Sequence, residues 1–317
     1  MTNTAGDQTW LSIVIPTYNR RGVVGRAINS CLQESVPGYE IVVVDDASTD
    51  DTVDAILHSY RTDRLRTVRL HENVGVCGAR MAGVEAAKGE WVLFLDSDDE
   101  LMPGALALLW KHCGGAASDV ARLALMYLHD DGELSPQPWT PGAVMDYEDY
   151  LRWAETVSRS DFSNCIRRTS FAAVRFPLQR SFETGYHLEF AKLFNTLCCG
   201  DIVARVHADA ADRLTATTKS RLRARLVREA EPRMLTMRYI LEHHGDALRR
   251  HSPKRAQMFS RAYITAAFMA GYRSAAMKGL LSHVRRYPRA FSVWGIGLLG
   301  MLHPRALSWA VAHTRGK

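Results

Sequence analysis

No uninterrupted apolar run in this sequence reaches the roughly 20 residues that a helix needs to cross a bilayer. The nearest approach, residues 291–302, is too short and runs into His303, Pro304 and Arg305. The stretch from Met1 to Asp7 lacks the basic and apolar regions of a signal peptide. Cys31, Cys77, Cys113, Cys165, Cys198 and Cys199 show no paired spacing, and no histidine cluster completes a zinc site with them. No Gly-x-Gly-x-x-Gly follows the first strand-like segment, which argues against a dinucleotide cofactor. Internal repeats and low-complexity tracts are missing as well. These absences lead to the expectation of a reducing, cytoplasmic setting, at most peripheral at the inner face of a membrane.

What is there is ordinary globular text, 47% apolar and 23% charged over 317 residues, which excludes wholesale disorder. That length holds one large domain or two smaller ones. The net charge is +6, but the two signs are segregated. Residues 45–54 and 96–100 are strongly acidic, whereas the chain is Arg-rich from Lys219 onward. Such a distribution suits contact with anionic lipid, or with a phosphate held through a metal. A solvated helical face is the plainer account of the basic part.

Short apolar segments at 11–15, 41–44 and 91–95, with a weaker one at 65–70, read as strands, three of them buried on both faces. Helical stripes lie between them at 22–32, 52–60 and 78–87. The order β-α-β-α-β-α-β predicts a parallel sheet flanked by helices. Each acidic cluster falls at the C-terminal end of a strand, where open α/β sheets bind ligands. Further on, residues 106–128 predict a helix and a strand, 130–141 a turn-rich segment, and 146–168 a helix followed by a strand. Helices are expected over 182–197, 222–244, 253–283 and 290–312. The expected division is a sheet domain over 1–215 and a basic helical extension over 216–317.

Four pieces carry the chemistry. Pro16, Thr17, Tyr18, Asn19 and Arg20 end the first strand; Asp45 and Asp46 end the second and open an Asp-Asp-Ala-Ser-Thr-Asp-Asp-Thr loop. Asn73 to Arg80 forms a Gly-containing turn into a helix, and Asp96, Ser97, Asp98 and Asp99 follow the fourth strand. In this order and spacing they closely resemble the family 2 glycosyltransferases, strongly over 10–110 and weakly over 160–200. The resemblance implies the GT-A fold, a Rossmann-like mixed α/β sheet flanked by helices. It also implies inverting, hexosyltransferase-like transfer from a nucleotide-sugar donor, with UDP or dTDP favoured over GDP.

A leaving nucleotide diphosphate gains negative charge, which Mg²⁺ or Mn²⁺ neutralises as a Lewis acid, commonly held by one or two protein carboxylates plus phosphate and water. By the resemblance, Asp98 contacts this divalent metal with Asp99 as helper, while Asp96, beside Ser97, contacts the ribose. Asp46, next to Asp45, contacts the base, and Pro16, Thr17 and Tyr18 form the wall beside it. A guanidinium at Arg80 suits two parallel bonds to a phosphate. The family commonly has Ala-Arg-Asn there, whereas this chain has Ala79, Arg80 and Met81.

Inversion needs a general base to take the acceptor's proton. Relatives carry Glu-Asp at the head of a helix, and His187 stands where that Asp is expected. Histidine accepts protons near neutral pH; Glu183, four residues earlier on the same helical face, is the rival. A catalytically silent nucleotide-sugar-binding protein is the third reading. Ser163 to Arg168 resembles the family's strand before the acceptor side of the cleft. The acceptor class stays open among carbohydrate, lipid-linked and small-molecule hydroxyls, as in cell-surface polysaccharide or glycoconjugate synthesis. Nucleic acid is not expected as a partner, and self-association is compatible with the sequence. Arg221, Arg223, Arg225, Arg228 and Arg233, with the later apolar stretch containing Trp294 and Trp309, suit a membrane interface. Packing on the sheet domain or on a second subunit is the alternative for these helices.

Overall fold

Apolar runs without alternation become fully buried strands. β1 (Leu11–Thr17) and β2 (Tyr39–Asp45) are buried at every position, as parallel strands covered on both faces must be. The computed structural model describes residues 9–174, 183–208, 219–288, 295–297 and 300–301. It contains two compact units, one of residues 1–150 and 156–210, the other of 151–155 and 211–317. The expected division at 215 lies outside the described residues.

In the first unit β1 leads to α1 (Val24–Leu32), whose Val24, Ala27, Ile28 and Cys31 form one buried stripe. After β2 come α2 (Thr52–Ser59), β3 (Leu65–Arg69), α3 (Gly75–Ala86) and β4 (Trp91–Phe94). They are followed by β5 (Glu100–Leu101), α4 (Ala105–Gly115), β6 (Val120–His129), β7 (Leu134–Ser135), β8 (Val144–Met145) and α5 (Tyr147–Thr156). β9 (Ser163–Arg167), α6 (Arg168–Ala173), α7 (Thr184–Leu193) and β10 (Asn195–Val206) complete the series.

The sheet runs in the order β3-β2-β1-β4-β9-β6-β10-β5. β1, β2, β3 and β4 pair in parallel, whereas β9 is antiparallel to both β4 and β6. The parallel expectation therefore holds for one half of a mixed sheet. Because β2 lies on one side of β1 and β4 on the other, the strand order reverses beside β1. That crevice is where such sheets bind ligands.

Three expected elements are corrected. In place of the single helix expected over 182–197, α7 ends at Leu193 and β10 starts at Asn195. β10 pairs with β6 through register shifts around Cys198 and Ile202, so bulges break the alternation that marks a strand. In the second unit, the helix expected over 222–244 is two, α8 (Lys219–Arg228) and α9 (Ala230–His243), with Pro232 in the first turn of α9. α10 (Gly245–His251) follows. The long helix expected over 253–283 divides into α11 (Pro253–Met269) and α12 (Arg273–Arg286) at Gly271, whose φ of 87° only glycine adopts freely. Phe268, Ile264, Met234, Ala276 and Leu280 pack together in this unit's core. Most of the helix expected over 290–312, including Trp294 and Trp309, lies outside the described residues. No helix among the described residues is long and apolar enough to cross a membrane.

Candidate functional site

The loops after β1 and β2 are stapled into one rim. Asn19 N–H donates to Ser48 Oγ at 2.9 Å, Arg20 N–H to Thr52 Oγ1 at 2.9 Å, and Asn19 Oδ1 accepts from Thr49 N–H at 2.8 Å. Asn19 and Ala47 both sit in the left-handed region, at φ 52° and 60°. Asparagine tolerates this conformation, but alanine is strained by Cβ contact. Ala47→Gly is accordingly expected to raise stability by about 0.5–1 kcal/mol, the strain relief less the entropy of an added glycine. A lower denaturation midpoint in the variant would contradict this.

The expected nucleotide-binding residues gather at these strand ends. Pro16 and Thr17 are buried at the tip of β1, and Tyr18 is 43% exposed just beyond. Thr17 pairs in register with Asp45 of β2. Asp45 Oδ2 accepts the N–H of Ser48 at 3.1 Å, while Asp45 Oδ1 and Thr17 Oγ1 are buried without a hydrogen-bond partner. Two orphaned oxygens on adjacent strand tips are unusual in a folded protein and mark a place where a ligand can bond. Asp46, the residue expected beside the base, also has a local task. Its two carboxylate oxygens accept the N–H groups of Val74 and Gly75 at 2.7 and 2.8 Å, satisfying donors at the start of α3. This explains why α3 begins at Gly75, ahead of the expected residue 78.

α3 lies tight against β1 at Gly83, where a Cβ would collide with the Val14 side chain. The close approach lets Arg80 reach the tip of β4. Arg80 Nη2 donates to Asp96 Oδ1 at 2.6 Å, Nη1 contacts Glu183 Oε1, and the guanidinium carbon lies 5.5 Å from the Phe94 ring centre. Burial works against a charged Arg80, yet the Glu183 and Asp96 carboxylates outweigh it and hold the guanidinium protonated. Burial likewise tends to raise the Glu183 pKa, but the charge of Arg80 and its hydrogen bond bring it below the usual carboxylate range. His187 is 26% exposed at its side chain, with Nε2 3.9 Å from Glu183 Oε2. Burial, then Arg122, push its pKa down to about 4, so the ring is neutral at physiological pH.

The acidic turn after β4 divides by orientation. Asp96 and Asp98 are partly exposed, whereas Ser97 and Asp99 are buried. Arg26 Nη2 donates to the Asp98 carbonyl at 2.6 Å and fixes the turn. Asp99, expected as the helper beside a cation, is buried and accepts the N–H of His207 at 3.3 Å, which braces the turn against the end of β10. Among the described residues no group of three or more His, Cys, Asp or Glu could hold a metal by itself. The structure thus brings Asp96, Arg80, Glu183 and His187 together in one chain of contacts, with Asp45, Asp46 and Thr17 on the adjoining tips.

Sequence reasoning missed Arg122. It is fully buried on β6, with Nη1 3.4 Å from His187 Nδ1. Its signal was present as a lone arginine inside the apolar segment from Val120 to Leu128. Arg26 was missed as well, for its contact is with a backbone carbonyl far along the chain.

This arrangement has recognisable relatives. The family model described as glycosyl transferase family 2 matches residues 12–177. The GalNAc(5)-diNAcBac-PP-undecaprenol beta-1,3-glucosyltransferase of Campylobacter jejuni is 32% identical over 154 residues, covering 48% of this chain and 47% of that protein. The chain spans about half or less of the length of the curated relatives it matches. Among solved structures, residues 1–349 of S. aureus TarS in complex with UDP-GlcNAc superpose with a TM-score of 0.58 at 18% identity, over 96% of this chain and 91% of that one. The mannosyltransferase PcManGT of Pyrobaculum calidifontis, in complex with GDP-Man and Mn²⁺, gives 0.53 at 18% identity, over 98% and 88%. At such identities the likeness is one of fold, the GT-A sheet with its flanking helices. The sequence match covers just over half of the 317 residues and contains the tips of β1, β2 and β4, and by it the chain belongs to glycosyl transferase family 2.

Proposed function

We propose that this protein is an inverting glycosyltransferase that moves a sugar from a nucleotide-sugar donor, UDP or dTDP favoured, to a hydroxyl acceptor with the help of a divalent metal. The observation that carries the reading is the network of Arg80 with Asp96 and Glu183, set at the point where the strand order reverses. In it a cation and two carboxylates converge at the position where a sugar diphosphate would lie. Pro16, Thr17 and Tyr18 wall the base, with Asp45 and Asp46 at its edge. The orphaned oxygens of Thr17 and Asp45 support this assignment. Asp96, beside Ser97, takes the ribose, and Arg80 takes a phosphate.

Asp98 holds the Mg²⁺ or Mn²⁺, with Asp99 bracing the turn. Such an ion is commonly bound by one or two carboxylates while substrate phosphates and water supply the rest. When bound, the metal neutralises charge on the departing diphosphate. TarS, in complex with UDP-GlcNAc, and PcManGT, in complex with GDP-Man and Mn²⁺, share this fold, which supports the reading.

The acceptor is a carbohydrate or lipid-linked hydroxyl, as the name of the Campylobacter relative suggests. Peripheral contact with an anionic membrane belongs to the same reading. Asp246 is the last acidic residue of the sequence, and Lys278, Leu281, Ser282, Arg285 and Arg286 line a concavity of about 490 Å³ on α12. Calorimetry with Mn²⁺ and UDP-glucose, UDP-GlcNAc, dTDP-glucose and GDP-mannose tests the proposal. One donor is expected to bind and to be slowly hydrolysed. Binding without any turnover would favour the silent protein, and no binding to any of the four would overturn the donor site itself.

A further inference from the structure

Arg122 is 1% exposed, and among the described residues no carboxylate pairs with it. Nε donates to Thr196 Oγ1 at 2.9 Å, and Nη2 has no hydrogen-bond partner. The rings of Phe190, Tyr150 and Phe162 lie 4.9, 5.3 and 5.4 Å from its guanidinium carbon. A buried charge without a counter-ion is costly, so its remaining contact is informative. That contact is Nη1 with His187 Nδ1 at 3.4 Å. Guanidinium has only donors and does not lose its proton in proteins. Nδ1 must therefore be the acceptor, and a neutral ring must carry its hydrogen on Nε2. Nε2 faces Glu183 Oε2, the oxygen that Arg80 and Cys77 leave open, since both of them contact Oε1.

We propose that Arg122 is a positioning residue: by occupying Nδ1 it fixes His187 as the Nε2–H tautomer turned toward Glu183, so that Glu183 and not His187 receives the acceptor's proton. This rests on the glycosyl-transfer reading and names its base. In the step, the acceptor oxygen bonds to the anomeric carbon of the donor sugar while its proton passes to Glu183 Oε2. The bond from that carbon to the diphosphate breaks, and its electron pair leaves with the diphosphate. His187 has no lone pair left for the task. The groups facing it are Arg122 from β6, Glu183 ahead of α7 and Arg80 from α3, with the rings of Tyr186 and Phe162 at 5.9 and 6.5 Å. Both arginines and burial oppose protonation and only Glu183 favours it, which agrees with a ring that stays neutral well below pH 6.

The test uses the full chain labelled with ¹⁵N-histidine, the His187 signal being identified by its loss in His187→Gln. At pH 7 that signal is expected to show the Nε2–H tautomer and to remain neutral on acidification past pH 6. Arg122→Met is expected to mix the tautomers and move the titration up toward the ordinary range. Should that variant fail to fold, the wild-type spectrum still decides. A ring protonated on Nδ1, or titrating between pH 6 and 7, overturns the proposal. Hydrolysis of whichever UDP-sugar the protein turns over with Mn²⁺ gives a second arm. Glu183→Gln is expected to lower kcat by about a hundredfold or more at unchanged KM. His187→Gln, whose amide can accept from Arg122 and donate toward Glu183, is expected to lose less than about tenfold, far short of a lost general base. Equal losses in the two variants overturn the proposal. If the wild type turns over no donor at all, the transferase reading fails, and the nitrogen spectrum still settles whether Arg122 orients the ring.

Discussion

Asp98→Ala is expected to weaken Mn²⁺-dependent binding of a nucleotide sugar by about a hundredfold or more. A cation that neutralises a diphosphate contributes several kcal/mol, and about 1.4 kcal/mol is a factor of ten in affinity. With Asp99 turned inward to the His207 N–H and Asp96 already bonded by Arg80, Asp98 is the carboxylate of this turn free to meet a metal. Calorimetric titration with UDP and Mn²⁺, with and without chelator, reads the effect, and a thermal melt checks that the variant folds. The turn itself should survive, because Arg26 holds the backbone carbonyl of Asp98 and not its side chain. If Asp98→Ala binds UDP with Mn²⁺ as the wild type does, the assignment of the metal ligand is wrong.

Glu40→Ala is expected to be the most damaging substitution for stability among those considered, at roughly 3 kcal/mol. Glu40 lies on β2, nearly buried, where its carboxylate accepts Ser12 Oγ–H at 2.6 Å, Lys88 N–H at 2.6 Å and Arg66 Nε–H at 3.0 Å. Removing it strands the buried Ser12 hydroxyl, the Lys88 N–H and one arginine at the foot of the sheet, opposite the strand tips. For a unit of this size the loss corresponds to a fall in Tm of roughly 10 °C. Burial acts to raise the Glu40 pKa, but the bonds from Ser12, Arg66 and Lys88 and the charge of Arg66 outweigh it and hold it below the usual range. A depressed folded-state pKa gives stability that is fully present above the unfolded value, about 4.3, and is lost as pH falls through the folded one. The stability difference between wild type and variant should therefore shrink in acid below about pH 4. A difference that stays constant from pH 7 to pH 3 would count against this carboxylate network.

Which elements could be read before the fold was known follows from the range of the interactions that define them. β1, β2 and β4 are apolar runs that give way to polar residues at Thr17, Asp45 and Asp96, and both the run and its stop are local. The β-α alternation then dictates that these tips share one edge of a sheet. Arg80 could be named because it follows a glycine turn at a recognisable distance from Asp96. β10 could not be read as a strand, because its bulges against β6 spoil the alternation and only the neighbouring strand gives it a partner. Asp46 bonds Val74 and Gly75, and Arg122 meets His187 on an element far along the chain. No window of sequence contains both members of such a pair.

Residue order alone settled the parallel half of the sheet, the edge that carries the acidic tips and the identity of those tips, because periodicity and chain reversals are short-range properties. Folding chose among groups that the sequence left equivalent. It turned Asp99 inward and left Asp98 outward, engaged Asp46 at a helix start, and set the buried Arg122 guanidinium on the ring of His187. Those outcomes depend on burial and on the direction of single lone pairs, and both exist only once distant segments have packed.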